Sequence, residues 1–273
     1  MGILKKPACG VKKRRMEIFL KIKTWSIFYI GCLLFLPARP SLSAVIVYDQ
    51  VTTVGTPVYL EVLTKGRIFA EGGRLVEFYL DDRRLGKNLT GGDGHGYRKY
   101  TPEQAGMIKV SARSEGESGS GLLLAMQKSE KLVLIELEGG FKDAFISKIA
   151  AGAGRRAVNK LLEKYQVIYL TRYIGIQKSK AWLDEAEFPD APVLRWRGSQ
   201  TLTTLKTRGI HLYALIGSAG VISEAAEHIE MCYSFEQTRD GQTVTDWEKI
   251  IELLQKSTPQ KSTKRKGKYK PPQ

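Results

Sequence analysis

At 273 residues with 42% hydrophobic content, the chain is long enough for two ordinary hydrophobic cores and short for three. Its formal charge of +15 is confined to the ends, since residues 1–44 carry a net +8, residues 256–273 carry +7, and the stretch between them is neutral. A neutral body gives no support to a fold built around a basic nucleic-acid face, so no nucleic-acid partner is expected.

Residues 1–44 form an export signal pattern. Lys5, Lys6, Lys12, Lys13, Arg14, Arg15, Lys21 and Lys23 precede an apolar run from Trp25 to Leu36, and the small residues Ser41, Ser43 and Ala44 follow as a cleavage region. The run is shorter than the roughly 20 residues that span a bilayer as a helix, which favours a cleaved signal over a retained anchor. The expected location is therefore outside the cytoplasm: periplasm, cell envelope or extracellular space. Cys9 and Cys32 lie in this segment, leaving Cys232 alone, so no internal disulfide is expected and the cores must hold by packing. Cys232 reads as a small buried hydrophobe near a strand start.

From residue 45 to 128 the apolar residues alternate, as in Val58, Leu60, Val62, then Val76, Phe78, Leu80, then Ile108, Val110, Ala112, then Leu122, Leu124, Met126. Period two marks half-buried strands. Gly55-Thr56-Pro57, Gly72-Gly73, Asp81-Asp82, residues 91–96 and residues 116–121 supply turns at the spacing of an all-β sandwich. Asp93 and His95 fall in one of these turns, and one carboxylate with one imidazole is too small a ligand set for zinc or calcium. Residues 73–81, then Asp93 to Tyr97, Tyr100-Thr101-Pro102 and residues 105–112 come in an order that resembles bacterial immunoglobulin-like domains. The resemblance implies a spacer or adhesion module without chemistry.

Residues 129–255 change pattern. Continuous apolar runs at Leu132–Leu137, Val167–Leu170, Val193–Trp196 and Leu212–Ile216 predict a parallel sheet covered on both faces. Helices are predicted at Arg155–Lys164, Ile176–Ala186, Gln200–Arg208, Val221–Glu230 and Asp246–Leu254, with a further strand at Met231–Phe235. Gly152-Ala153-Gly154 reads as a loop entering the first helix. Ligands of such sheets gather beyond the carboxyl ends of the strands, which directs attention to Glu136 to Gly140, Thr171-Arg172-Tyr173, Arg197-Gly198-Ser199 and Gly217 to Gly220.

The order of Ile135 to Gly139, Tyr169-Leu170-Thr171-Arg172, Trp182-Leu183, residues 188–192 and Ala214-Leu215-Ile216-Gly217 resembles the haloacid-dehalogenase-like (HAD-like) phosphatases, in particular the lipin-type phosphatidate phosphatases. The resemblance implies a Rossmann-like α/β domain. In that family two aspartates on the first strand act as nucleophile and general acid/base, and magnesium is held by that motif and by acids after the fourth strand. Here the aspartates align with Glu136 and Glu138. Ser218 stands where a magnesium acid is expected, with no carboxylate before Glu224. Ser199 and Gln200 stand where a phosphate-neutralising lysine is expected, and Lys206 lies about two turns further along the helix. Thr171 matches the family's phosphate-contacting residue, although a threonine there also caps the next helix. The combined departures imply a degenerate, non-catalytic frame with no cofactor, and magnesium as the cofactor if activity persists. Glu136 and Glu138 remain a candidate weak cation site, the alternative being two solvated carboxylates favoured by nearby helix N-termini.

Residues 256–273 lack apolar side chains apart from Tyr269 and read as a disordered basic tail suited to an anionic surface or an unidentified envelope component. Three functions follow as expectations: a pseudo-phosphatase that binds or scaffolds in the envelope, a magnesium-dependent phosphatase acting on a phosphate monoester or phospholipid, and an adhesion or structural protein of the envelope.

Overall fold

The computed structural model describes residues 44–145 and 148–256. The export segment, apart from Ala44, and the basic tail, apart from Lys256, lie outside the described residues. Among the described residues, no helix is long and apolar enough to cross a membrane.

The first half is a two-sheet β-sandwich. Strands β1 (Ala44–Val47), β3 (Val58–Lys65) and β6 (His95–Tyr100) form one antiparallel sheet in the order β1-β3-β6. Strands β2 (Gln50–Thr53), β4 (Leu75–Leu80), β5 (Arg83–Leu89), β7 (Gly106–Ser114) and β8 (Glu117–Met126) form the other, in the order β2-β8-β7-β4-β5. The alternation seen in the sequence is the cause: Val58, Leu60 and Val62 face Val76, Phe78, Val110 and Ala112 across a closed core. Asp81 and Asp82 turn β4 into β5 with positive φ, a conformation that aspartate tolerates better than most residues. Asp93 accepts the amide of His95 at 3.0 Å and fixes the tight turn before β6.

A four-residue connection leads from β8 into the α/β half. Its parallel sheet comprises β9 (Lys131–Glu136), β10 (Gln166–Thr171), β11 (Val193–Arg195), β12 (His211–Ile216), β13 (Met231–Ser234) and β14 (Gln242–Thr243), in the order β11-β10-β9-β12-β13-β14. Consecutive strands run outward from β9 to β11 and then resume at β12 on the other side of β9. The switch point of the sheet therefore lies between β9 and β12, where ligand crevices form in such sheets.

The helices are α1 (Leu137–Gly140), α2 (Lys148–Leu162), α3 (Ile176–Glu185), α4 (Ser199–Thr207), α5 (Ala219–Ala225) and α6 (Trp247–Lys256). Residues of α2, α3 and α6 bury Val158, Leu161, Leu183, Ile250 and Leu254 on one side of the sheet. Residues of α4 and α5 bury Leu202, Leu205, Val221 and Ile222 on the other. One expectation is corrected here. Gly152-Ala153-Gly154 is not a loop but lies inside α2, which begins at Lys148. The reason is steric: a Cβ at Gly154 would sit 2.9 Å from the Phe141 ring, so the glycine lets that ring pack against the helix. Phe141 in turn meets Phe188 and Trp247 at ring-centroid distances of 4.6 and 5.1 Å.

The two halves are not independent beads. Val51, Leu124 and Met126 of the sandwich belong to the same buried cluster as Leu132, Leu134, Ile168, Leu170, Leu205 and Leu212 of the α/β half. Residues of both halves form one compact unit. Thr53 Oγ1 donates to the carbonyl of Arg208 at 2.7 Å, and the Arg208 guanidinium donates to the carbonyl of Val51 at 2.8 Å. At the junction, Asp49 stands where the chain crosses from one sheet of the sandwich to the other. Its Oδ1 accepts the Leu122 amide at 2.8 Å and the Lys180 ammonium at 2.6 Å, and its Oδ2 accepts the Val193 amide at 2.8 Å. One buried carboxylate thus ties β8, α3 and β11 together.

Candidate functional site

The carboxyl ends of β9, β10 and β12 bring Glu136, Glu138, Thr171 and Ser218 into one neighbourhood, as the sequence order implied. Glu136 ends β9 and is 1% exposed, which corrects the expectation of a solvated carboxylate. Its Oε2 accepts the Ser218 amide at 2.6 Å. Burial raises its pKa above the ordinary glutamate value, with the neighbouring Glu138 adding to the rise, while the Ser218 contacts and Arg172 oppose it.

Glu138 lies in α1 and turns toward β10. Its Oε1 accepts the Thr171 hydroxyl at 3.1 Å and three successive backbone amides, those of Arg172, Tyr173 and Ile174, at 2.9, 2.8 and 3.1 Å. Three consecutive amides converging on one point make a nest for an anion. In this chain the anion is the protein's own carboxylate. Thr171 also accepts the Gly175 amide at 3.2 Å, so its hydroxyl is spent on ordering the turn into α3. It both steadies the turn and holds Glu138, a combination that neither the capping nor the phosphate-contacting expectation describes.

The switch point itself is filled by backbone. A Cβ at Gly139 would lie 2.0 Å from the Ser218 nitrogen, and one at Gly217 would lie 2.9 Å from Glu136 Oε2. Only glycine permits α1 to lie so close to the exit of β12. Arg172 reaches over this layer to Glu224 at 3.0 Å, and Glu224 also accepts the Trp196 indole N–H at 2.9 Å. The Arg172–Glu224 pair was not anticipated, because residues on separate helices and loops carry no shared spacing in the sequence. Glu224 is the first acid after β12, yet it serves this guanidinium and indole.

A magnesium ion does not suit this donor set. Glu136 Oε2 and Glu138 Oε1 are engaged by amides, and Ser218 offers no carboxylate. Among the described residues no group of three or more histidine, cysteine, aspartate or glutamate side chains is placed to hold a metal ion. Glu138 Oε2 is the remaining buried oxygen without a donor. Lys206, expected to point away from the strand ends, is exposed on α4, and Ser199 and Gln200 begin that helix. Cys232 is buried in β13 with its thiol pKa pushed up to about 11, chiefly by burial, as suits an inert packing residue.

No family model and no curated protein matches the chain. Among solved structures, the CARDB domain of a Pyrococcus furiosus protein aligns at 16% identity over 31% of this chain and 94% of its own, with a TM-score of 0.25. The D00-D0 domain of intimin aligns at 13% identity over 33% of this chain and 52% of its own, with a TM-score of 0.26. Fibronectin(III)-like modules of CbhA from Clostridium thermocellum align at 14% identity over 30% of this chain and 97% of their own, with a TM-score of 0.23. The description of the first half as a β-sandwich rests on its own strand order and core.

Proposed function

We propose that the chain is an exported, non-catalytic binding or structural protein of the cell envelope. On this reading an immunoglobulin-like sandwich is fused to a HAD-like domain that has lost phosphoryl-transfer chemistry. The observation that carries it is Glu138 seated in the Thr171 to Ile174 amide nest, because a phosphoryl group would need those same donors. Phosphoryl transfer relies on positioning and charge neutralisation, and the charged groups at the strand ends are already paired with one another, Arg172 with Glu224 and Lys142 with Glu236. The strand order with its switch point beside Glu136 supports the HAD-like frame. The shared core and the Asp49 junction support a rigid structural role, since they hold the sandwich and the α/β half as one piece.

The test is turnover of a generic phosphate ester and of phosphatidate by the purified chain, with and without magnesium. No rate above buffer is expected. A magnesium-dependent rate abolished by E136Q would overturn the proposal in favour of an altered phosphatase, the reading that the unpaired Glu138 Oε2 favours.

A further inference from the structure

A cleft of about 450 Å³ lies between the sandwich and the β11 edge of the parallel sheet, within the span of roughly 300–1,000 Å³ typical of ligand sites. Its first wall is the outward face of the β1-β3-β6 sheet, where alternation points Glu61, Leu63, Lys65 and His95 away from the core. Tyr48, just after β1, joins this face. The rings of Tyr48, His95 and Tyr97 run nearly parallel, with centroids 6.1 and 6.2 Å apart and interplanar angles of 8° and 14°. Tyr97 is 46% exposed and Tyr59 on β3 is 59% exposed, so the aromatic row continues from the cleft onto open surface.

The second wall carries charge. Arg195 ends β11 and Arg197 follows two residues later; both are exposed, and among the described residues neither guanidinium has an acidic partner. They lie close enough to Tyr48 to favour its ionised form, against the burial that raises its pKa. Two acids, Asp49 and Glu61, line the cleft against four cations, Lys65, Arg195, Arg197 and Arg208, and Asp49 is already taken by three donors. The surplus is positive and local, although the body of the chain is neutral. Gln177 and Gln200 also line the space, and their side-chain amides have no hydrogen-bond partner among the described residues.

We propose that this cleft binds an acidic saccharide, with a sugar ring against the Tyr48 row and its carboxylate on Arg195 and Arg197. Aromatic surfaces accept the apolar C–H faces of sugar rings, as they do other partly apolar groups. Guanidinium forks match a carboxylate in plane and charge. Free amides suit hydroxyl groups, which both donate and accept. The inference rests on the reading of the chain as a binding protein, but not on the strand-end site, so this titration and the turnover assay fail separately.

The experiment is calorimetric titration of the full chain with trigalacturonate, with neutral maltotriose as the comparison, at about 0.15 M salt so that diffuse charge is screened. Saturable binding of the acidic trisaccharide alone is expected. R195A/R197A and Y48A are each expected to weaken it about tenfold, a change of the size that losing charge-assisted contacts or a ring face produces. Y48F keeps the ring and should bind like the wild type. The basic ends are present in every variant, so binding unchanged in R195A/R197A would place the ligand on them and overturn the proposal. Equal binding of maltotriose, or no saturable binding, would overturn it as well.

Discussion

Replacing Asp49 should loosen the joint between the two halves more than any other single polar change. In D49A the amides of Leu122 and Val193 and the ammonium of Lys180 lose their shared acceptor. The Asp49 side chain is fully buried and the Lys180 side chain is 25% exposed, so water reaches the lysine, whereas the Val193 hydrogen bond is buried. Removing one partner of a buried, hydrogen-bonded ion pair costs about 3–5 kcal/mol, a large share of the roughly 5–15 kcal/mol that holds a domain folded. D49N keeps the volume but turns an N–H₂ group toward at least one donor, and should lose about 1.5–3 kcal/mol. K180M should also lose stability, because the fully buried carboxylate is then held by two backbone amides and no countercharge. Equilibrium urea unfolding checks the series, followed by tryptophan fluorescence and far-ultraviolet circular dichroism. Trp182, Trp196 and Trp247 all lie in the α/β half, whereas the dichroism also follows the sandwich. A loss under about 1 kcal/mol in D49A would refute the reasoning, since an unmet buried donor alone costs about that much.

Three further outcomes follow from the same geometry. Because Met126 is buried in a cluster that spans both halves, the two probes should report one coincident transition, and M126A should cost about 2–5 kcal/mol of stability and lower both midpoints together; separated transitions would contradict the shared core. E138A should destabilise the chain by about 1–3 kcal/mol, as four donors lose their acceptor, and phosphate should restore the E138A midpoint more than it raises the wild-type one. Burial raises the Glu136 pKa above 4.5, so in the interval above that value the folded chain binds the proton more tightly than the unfolded chain, and stability falls as pH rises. E136Q removes this effect, and its stability relative to wild type should improve as the pH rises above 4.5, measured by denaturation midpoints; a difference that stays constant with pH would contradict it.

Periodicity made most of the fold legible, because burial acts on side chains at fixed spacing. The alternation at Val58, Leu60 and Val62 and the solid apolar runs at β9, β10 and β12 correspond to the observed strands within a residue or two. Helix ends shifted where a glycine had a packing role, as at Gly154, or where the last turn tightens, as at Ala226–His228 after α5. Strand β14 is two exposed residues and has no pattern to read. The strand-end residues Glu136, Glu138, Thr171 and Ser218 were identified through their order along the chain. What they do there was not legible: whether a carboxylate meets solvent, metal or backbone amides depends on distances across the sheet. The role of Asp49 is not legible for the same reason, since its partners lie 73 to 144 residues away. The Arg195–Arg197 cleft likewise exists only where two differently patterned halves face each other.

Glu138 already occupies the anion nest. A phosphate titration of the isotope-labelled chain, following the amide resonances of Arg172, Tyr173 and Ile174, tests it at the atoms concerned. These three signals are expected to stay fixed in the wild type and to move in E138A. Movement in the wild type would show that the nest is open to phosphate and would contradict the reading of the α/β half as emptied of phosphoryl chemistry.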